Sequence, residues 1–317
     1  MSDIHAEIRA RFAAAQTILI VSHIRPDGDA IGSTLALGLA LEDIGKQVQM
    51  VLSDGVPEGF KHLPGYEKIQ ANAQGEFDLI VTVDCSDIKR VGPALQGYRN
   101  PDLVIDHHAT TEAFGSLMLV EPEAVATASV LARYMPSWGL TITRPIAANL
   151  ITGLVTDTLG FRTANTNAEV LRQAADLIAL GVDMSTLYYH GLVRRTFSGA
   201  RYWGAGLSSL QLSDGIVWAT MTVADRQASG YTGNDDADLI NIVSSIDEAD
   251  IAIIFVEQNS HNTKVLNMDK VLYISHTEEN SGLSEHALEV LTAAAELAKA
   301  TSSELTIGLF GGSTTAA

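Results

Sequence analysis

The sequence predicts an α/β fold: a mostly parallel sheet with helices on both faces, followed by a smaller α/β domain. Three observations predict it. Short β-rich runs alternate with helical patterns through the first half of the chain. The runs are almost wholly apolar, as strands covered on both faces are. Acidic or histidine residues recur where those runs end, at the edge where open parallel sheets bind their ligands.

Apolar residues Ile4, Ile8 and Phe12 recur at helical spacing, and the β-rich run Thr17 to Ser22 follows. A helix runs through Gly32 to Ala40 and stops at Gly45. Strands are predicted over 48–52, 77–83, 102–105 and 117–120. Helical patterns then cover 124–134, 145–157 and 167–180, the last closed by Gly181, which suits the left-handed geometry of a C-cap. The composition changes over Tyr188 to Arg201, which predicts a linker helix, and alternating runs in 206–223 announce a new sheet. The expected division is a first domain over 1–187, a linker helix over 188–204 and a second domain over 205–317.

A chain of 317 residues, 46% of them apolar, can give two domains a core each. No stretch approaches the ~20 uninterrupted apolar residues of a membrane span, and the first residues lack a basic segment and cleavage site. A cytoplasmic protein with no membrane partner is therefore expected. The single cysteine, Cys85, excludes an intramolecular disulfide and reads as a packing residue. A net charge of −18 repels long nucleic acid over most of the surface. Short or mononucleotide substrates fit that balance better than duplex DNA.

The chemistry lies in His23-Ile24-Arg25-Pro26-Asp27-Gly28-Asp29, Asp84, Asp106-His107-His108 and Asp157. Gly28 lets the backbone turn so that both flanking carboxylates face one point. Asp84 and Asp106 end neighbouring strands, and Asp157 interrupts an apolar helix pattern, where an unpaired charge is costly. Carboxylates and imidazoles so spaced have one economical use, to surround a pair of divalent cations. A single strand-end aspartate is usually a turn former or a cap, and a single histidine on an apolar segment is usually a packed one. Paired histidines after an aspartate, with His-x-x-x-Asp-x-Asp and two further acids, are not explained as caps. By contrast, Gly28 to Gly32 lacks the third glycine of a dinucleotide fingerprint. His5, His62, His190, His261, His276 and His286 read as surface or packing residues. The acidic run 234–238 reads as the solvated start of a helix.

Residues His23/Asp27/Asp29, Asp84 in Val-Asp-Cys-Ser-Asp, Asp106-His107-His108 and Asp157 in Thr-Asp-Thr-Leu-Gly-Phe resemble, in order, the four motifs of the DHH phosphoesterase superfamily. The layout most resembles its bacterial oligoribonuclease and 3'-phosphoadenosine 5'-phosphate phosphatase branch. The resemblance implies two Mn²⁺ ions, with Mg²⁺ as the substitute. It places His23 and Asp27 on one ion, Asp29, His107 and Asp157 on the other, and Asp84 between them. Asp106 would orient a histidine, and His108 would contact the scissile phosphate or leaving oxygen. The mechanism expected is in-line attack on phosphorus by a hydroxide shared by the ions. Arg162 could reach a substrate phosphate, although a solvated loop charge explains it equally well. The partners implied are short single-stranded RNA or 3'-phosphoadenosine 5'-phosphate, and a homodimer is compatible with the layout.

The second domain departs from the pattern. Relatives of this layout hold the nucleotide with a serine-arginine-serine strand and a terminal glycine-rich loop carrying a histidine. Here the strand reads Thr263 to Met268 and the last glycines are Gly311-Gly312, without the histidine. The segment from Met268 onward also resembles the start of an electron-transfer flavoprotein α subunit. Two alternatives to the phosphoesterase reading follow: a manganese inorganic pyrophosphatase, and a non-catalytic nucleotide or metal sensor. Against the former, the only basic residues after residue 205 are Arg226, Lys264, Lys270 and Lys299.

Overall fold

In the computed structural model the described residues are 4–213, 215–259, 262–268, 272–278, 282–283 and 306–310. They divide into two compact units, Met1–Arg194 and Arg195–Ala317.

The first unit is built on six parallel strands in the order β3-β2-β1-β4-β5-β6. These are β1 (Thr17–Val21), β2 (Gln47–Val51), β3 (Ile69–Gln70), β4 (Leu79–Val83), β5 (Leu103–Asp106) and β6 (Leu117–Val120). The chain runs outward from β1 to β3 and then returns to place β4 on the other side of β1. That reversal leaves a crevice at the carboxyl ends of β1 and β4, where neighbouring connections leave in opposite directions. The edge strand β3 was not foreseen, because two residues are too few to show a period.

Alternate residues of the central strands serve opposite faces, as the pleat requires. Ile18 and Ile20 of β1, with Val81 and Val83 of β4, join the main core. Leu19, Val21 and Ile80 point the other way. The main core is filled by helices α1 (Ile4–Ala14), α2 (Gly28–Asp43), α3 (Thr127–Tyr134), α4 (Arg144–Asp157) and α5 (Ala168–Ala179). The opposite face is covered by the 3₁₀ segment Ile88–Leu95, whose Val91 and Ala94 pack there with Cys85. Gly45 ends the turn after α2 with φ +84°, which glycine alone adopts freely.

Helices α2 and α4 cross with almost no side chain between them. A Cβ on Gly32 would lie 2.4 Å from the carbonyl oxygen of Asn149, and one on Gly153 would lie 2.5 Å from Asp29 Oδ1. Gly28 likewise presses on Thr156. This close approach brings the start of α2 to the end of α4, each of which carries an acidic residue.

The expected linker helix is broken. Helix α6 (Met184–Tyr188) passes into a π turn over Tyr189–Val193, the backbone then extends at Arg194 and Thr196, and α7 (Phe197–Ser208) begins in the second unit. That unit contains a mixed sheet of β7 (Gln211–Ser213), β8 (Ile216–Met221), β9 (Ile251–Asn259) and β10 (Asn262–Met268) in the order β10-β9-β8-β7. Its core joins Tyr202, Val217, Met221, Leu239, Ile254 and Val256. The segment Thr263 to Met268, expected in place of the arginine strand, lies in edge strand β10. Strands β11 (Leu272–Glu278), β12 (Gly282–Leu283) and β13 (Thr306–Phe310) form a further sheet in which β11 and β13 run parallel. Residues 284–305 of the segment beginning at Met268, and Gly311-Gly312, lie outside the described residues. Within the acidic run, Asp236 is buried rather than solvated, and its Oδ2 accepts from the N–H of Ile240 at 2.7 Å.

Because the atom facing Gly32 is main chain and cannot rotate away, Gly32→Ala is expected to cost about 1–3 kcal/mol of stability, as overpacking does. Urea unfolding of the variant beside the parent measures this, and coincident midpoints would contradict the close crossing of α2 and α4.

Candidate metal centre

Each residue of the cluster is delivered by an element end. His23 follows β1, Asp84 follows β4, and Asp106, the last residue of β5, leads to His107 and His108. Asp27 caps α2: its Oδ1 accepts from the N–H groups of Asp29 and Ala30, both at 3.0 Å. Asp29 lies in the first turn of α2, and Asp157 is the last residue of α4 rather than a mid-helix one. A carboxylate at a helix C-terminus meets the negative end of the dipole, so its position is unfavourable without a cationic partner.

The histidines are held in one tautomer by main-chain carbonyls. His23 Nδ1 lies 2.9 Å from the carbonyl oxygen of Ile24, and His107 Nδ1 lies 3.2 Å from that of Ala124. A carbonyl only accepts, so Nδ1 donates and Nε2 is the nitrogen aimed at the acids, bearing a proton in the metal-free chain and a lone pair once that proton is lost. His23 Nε2 stands 3.7 Å from Asp27 Oδ2 and 3.7 Å from Asp84 Oδ2. His107 Nε2 stands 3.2 Å from Asp157 Oδ2, 3.7 Å from Asp84 Oδ1 and 4.0 Å from Asp29 Oδ2. The donor atoms fall into triads, His23/Asp27/Asp84, Asp29/His107/Asp157 and Asp84/His107/His108, each set within 4.8 Å. Asp84 turns one oxygen to His23 and the other to His107.

Asp84 is buried, with φ +52°, an unfavourable conformation for a residue with a Cβ. Its N–H still bonds to the carbonyl of Ile105 at 3.0 Å, and Oδ1 accepts from the Thr127 hydroxyl at 3.0 Å. Asp29 is fully buried; its oxygens accept from the N–H groups of Thr127 at 2.6 Å and Ala128 at 2.9 Å and from the Ser33 hydroxyl at 3.1 Å. A residue nearly a hundred positions away thus caps α3, which is why that helix starts at Thr127 and not at the expected Ala124.

So much negative charge in one place acts on every member. Burial, with Asp84 and Asp157 close by, pushes the Asp29 carboxyl well above the usual carboxylate range. Burial alone would lower His107, but Asp157, Asp29 and Asp84 outweigh it and push the imidazole up to about 10. His23 is raised in the same way, burial being outweighed chiefly by Asp84. Burial raises Asp84, but His23 and His107 outweigh it, so its carboxyl is lowered overall. Protons therefore take up positions that a cation would fill, and an oxygen-rich set with neutral imidazoles suits Mn²⁺ or Mg²⁺. The residues present fit divalent metal.

His108 differs from its neighbour. Its Nδ1 bonds to Asp106 Oδ1 at 2.8 Å, and the hydroxyl of Thr111 donates to the other oxygen of Asp106. The Asp106 hydrogen bond raises its pKa, and its side chain is 34% exposed, making it the most open imidazole of the cluster. Arg162 is exposed, and its side chain has no hydrogen bond or ion pair among the described residues. Ser33, Thr111 and Thr127 were missed in the sequence, where a lone hydroxyl residue carries no signal; only the fold reveals that each holds an aspartate.

Metal ligation requires His107 without its proton. Between pH 6.5, its ordinary value, and about 10, the metal-free protein carries that proton and must release it on binding. The proton's contribution to stability is fully present below pH 6.5 and lost as pH rises through about 10. Titration calorimetry with Mn²⁺ in buffers of different ionisation enthalpy is expected to show release of about one proton or more at pH 8, with affinity rising with pH. Binding without proton release would contradict the geometry.

Residues 17–182 match the DHH family, N-terminal domain. The bifunctional oligoribonuclease and PAP phosphatase NrnA of Thermus thermophilus is 33% identical over 251 residues, covering 78% of this chain and 74% of that protein. A probable manganese-dependent inorganic pyrophosphatase of Streptococcus mutans is 31% identical over 180 residues, but covers 53% of this chain and 56% of its own length. An exopolyphosphatase-related protein from Bacteroides fragilis has the same fold, with a TM-score of 0.78 at 24% identity over 94% of this chain and 97% of that one. With the aspartate and histidine cluster at the sheet edge, these matches establish that the chain belongs to the DHH family.

Proposed function

We propose that the chain is a phosphoesterase that hydrolyses short single-stranded RNA to mononucleotides, or 3'-phosphoadenosine 5'-phosphate to AMP, with two Mn²⁺ ions as cofactor. The observation that carries this reading is the division of the two Asp84 oxygens between a triad with His23 and a triad around His107. Such a shared carboxylate is what a two-cation phosphoryl-transfer site needs. The likeness to a protein named for both activities supports the choice of substrates.

His23 and Asp27 would hold one cation, Asp29, His107 and Asp157 the other, and Asp84 both. The chemistry bound cations supply is a lowered pKa for water and neutralised phosphate oxygens. The remaining work falls to the chain. Asp106 orients His108 and favours its protonated form, from which this open imidazole would contact the scissile phosphate and give its proton to the leaving oxygen. Thr127, Ser33 and the start of α3 fix Asp29 and Asp84 without side-chain rearrangement. Arg162, exposed beyond Asp157, is the cation available to a distal phosphate.

A pyrophosphatase is the second reading, favoured by the similarity to a protein of that name. The two separate in one assay: mononucleotide release from a labelled RNA dimer, and phosphate release from 3'-phosphoadenosine 5'-phosphate and from pyrophosphate, each with Mn²⁺. The first two activities are expected, and Asp84→Ala is expected to lower them by about 10³-fold or more. Turnover of pyrophosphate alone would move the assignment to the second reading. Mn²⁺ binding with turnover of none of the three would leave a metal-binding sensor.

A further inference from the structure

The turn after Asp157 is strained and is covered by an aromatic ring that the chemistry above does not use. Leu159, Gly160 and Phe161 have φ of +48°, +76° and +68° in succession. For two residues with side chains, in line after a candidate metal ligand, that is an unusual expense of backbone energy. The turn is anchored by Thr158, whose hydroxyl donates to the carbonyl of Leu154 at 2.6 Å and accepts from the N–H of Phe161 at 2.9 Å.

The left-handed turn leaves no side chain at Gly160, and the hydroxyl edge of the Tyr188 ring packs against it. A Cβ on Gly160 would stand 2.7 Å from both Cε2 and Oη of that ring. No more than about 11 Å of chain separates Gly160 from Asp157, at the extended limit of the backbone. The ring therefore packs against the turn that directly follows Asp157 at the end of α4.

Tyr188 is nevertheless 38% exposed, and Tyr189 beside it is 52% exposed. The backbone here is also special: Tyr188 leads into the π turn Tyr189–Val193, a feature that concentrates at functional sites. The turn is held at its outer side by the stacked rings of His190 and His62, whose centroids are 4.1 Å apart. On the inner side, Gly191 lies against Thr156, a Cβ there standing 3.3 Å from the Thr156 methyl. Ring, π turn and the end of α4 are thus in mutual contact within the first unit.

We propose that Tyr188 is the stacking platform for the nucleobase of a nucleotide held at the metal centre. This deepens the phosphoesterase reading and rests on it for the position of the phosphate. The chemistry agrees with the charge of the chain. A surface of net charge −18 gives nucleotides little general attraction, so affinity must come from the cations for phosphate and from a π face for the base. Stacking also tolerates any base, which suits degradation of short RNA of mixed sequence.

The test uses AMP and ribose 5-phosphate, the same ligand without its base, titrated by calorimetry into the full-length Mn²⁺-loaded chain and into Tyr188→Leu, Tyr188→Phe and Tyr188→Trp. The parent is expected to bind AMP about tenfold more tightly than ribose 5-phosphate, the size of one base–aromatic stack. Tyr188→Leu should lose that advantage for AMP alone, while the aromatic variants keep it. Equal weakening of both ligands by Tyr188→Leu would make the ring merely structural and overturn the proposal, as would unaltered AMP affinity in that variant. A parent that does not distinguish the two ligands, or binds neither, would overturn it too. Because binding needs no turnover, a chain that fails to cleave RNA yet shows the predicted pattern would lose the phosphoesterase reading and keep the stacking site.

Discussion

Mutual repulsion among Asp27, Asp29, Asp84 and Asp157 is the constraint on which the first unit turns. Two of them are buried, one sits at the unfavourable end of a helix, and His23, His107 and His108 supply opposing charge beside them by protonation. A protein tolerates such an arrangement only if something else over-determines it. The surrounding structure does so: hydroxyls of Ser33 and Thr127 and the N–H groups of Thr127 and Ala128 hold Asp29 and Asp84 as acceptors. Main-chain carbonyls hold the two inner histidines with Nε2 turned to the acids. The arrangement is a cation site whose protein side is complete in advance.

The rest of the fold serves that edge. Reversal of strand order at β1 and β4 supplies the crevice, and glycines at the crossing of α2 and α4 let two acidic helix ends meet. Backbone strain gathers at the same place. Asp84, Leu159 and Phe161 have positive φ, and so does Arg25 within the first motif, where Asp54 accepts from its N–H at 2.6 Å. Strain at a candidate ligand and beside other candidate ligands is stability given up for position.

How much of this was legible follows from what a linear pattern can encode. The strands of the sheet core were readable because residues such as Ile18 to Val21 are apolar on both faces, and the metal cluster was readable because acids and histidines at strand ends have few other uses. The boundaries that failed are those set at long range. Helix α3 begins at Thr127 because Asp29, far off in sequence, caps it, and no local residue signals that. The linker appeared as one helix because composition does not show a π turn or the extended backbone at Arg194. The hydroxyl residues behind the acids, and the ring of Tyr188 against Gly160, acquire meaning only when the chain is closed up. Asp157 was expected within an apolar helix pattern, and its position at the helix end, where the dipole opposes it, came from the structure alone.

The central claim is that Asp84 stands between two cations. Crystals of the Mn²⁺-loaded chain, with anomalous scattering recorded at the manganese edge, test it most directly. Two peaks are expected, one against His23 and Asp27 and one against Asp29, His107 and Asp157, with a separate oxygen of Asp84 directed at each. A single peak, or two peaks with Asp84 turned away from either, would contradict it.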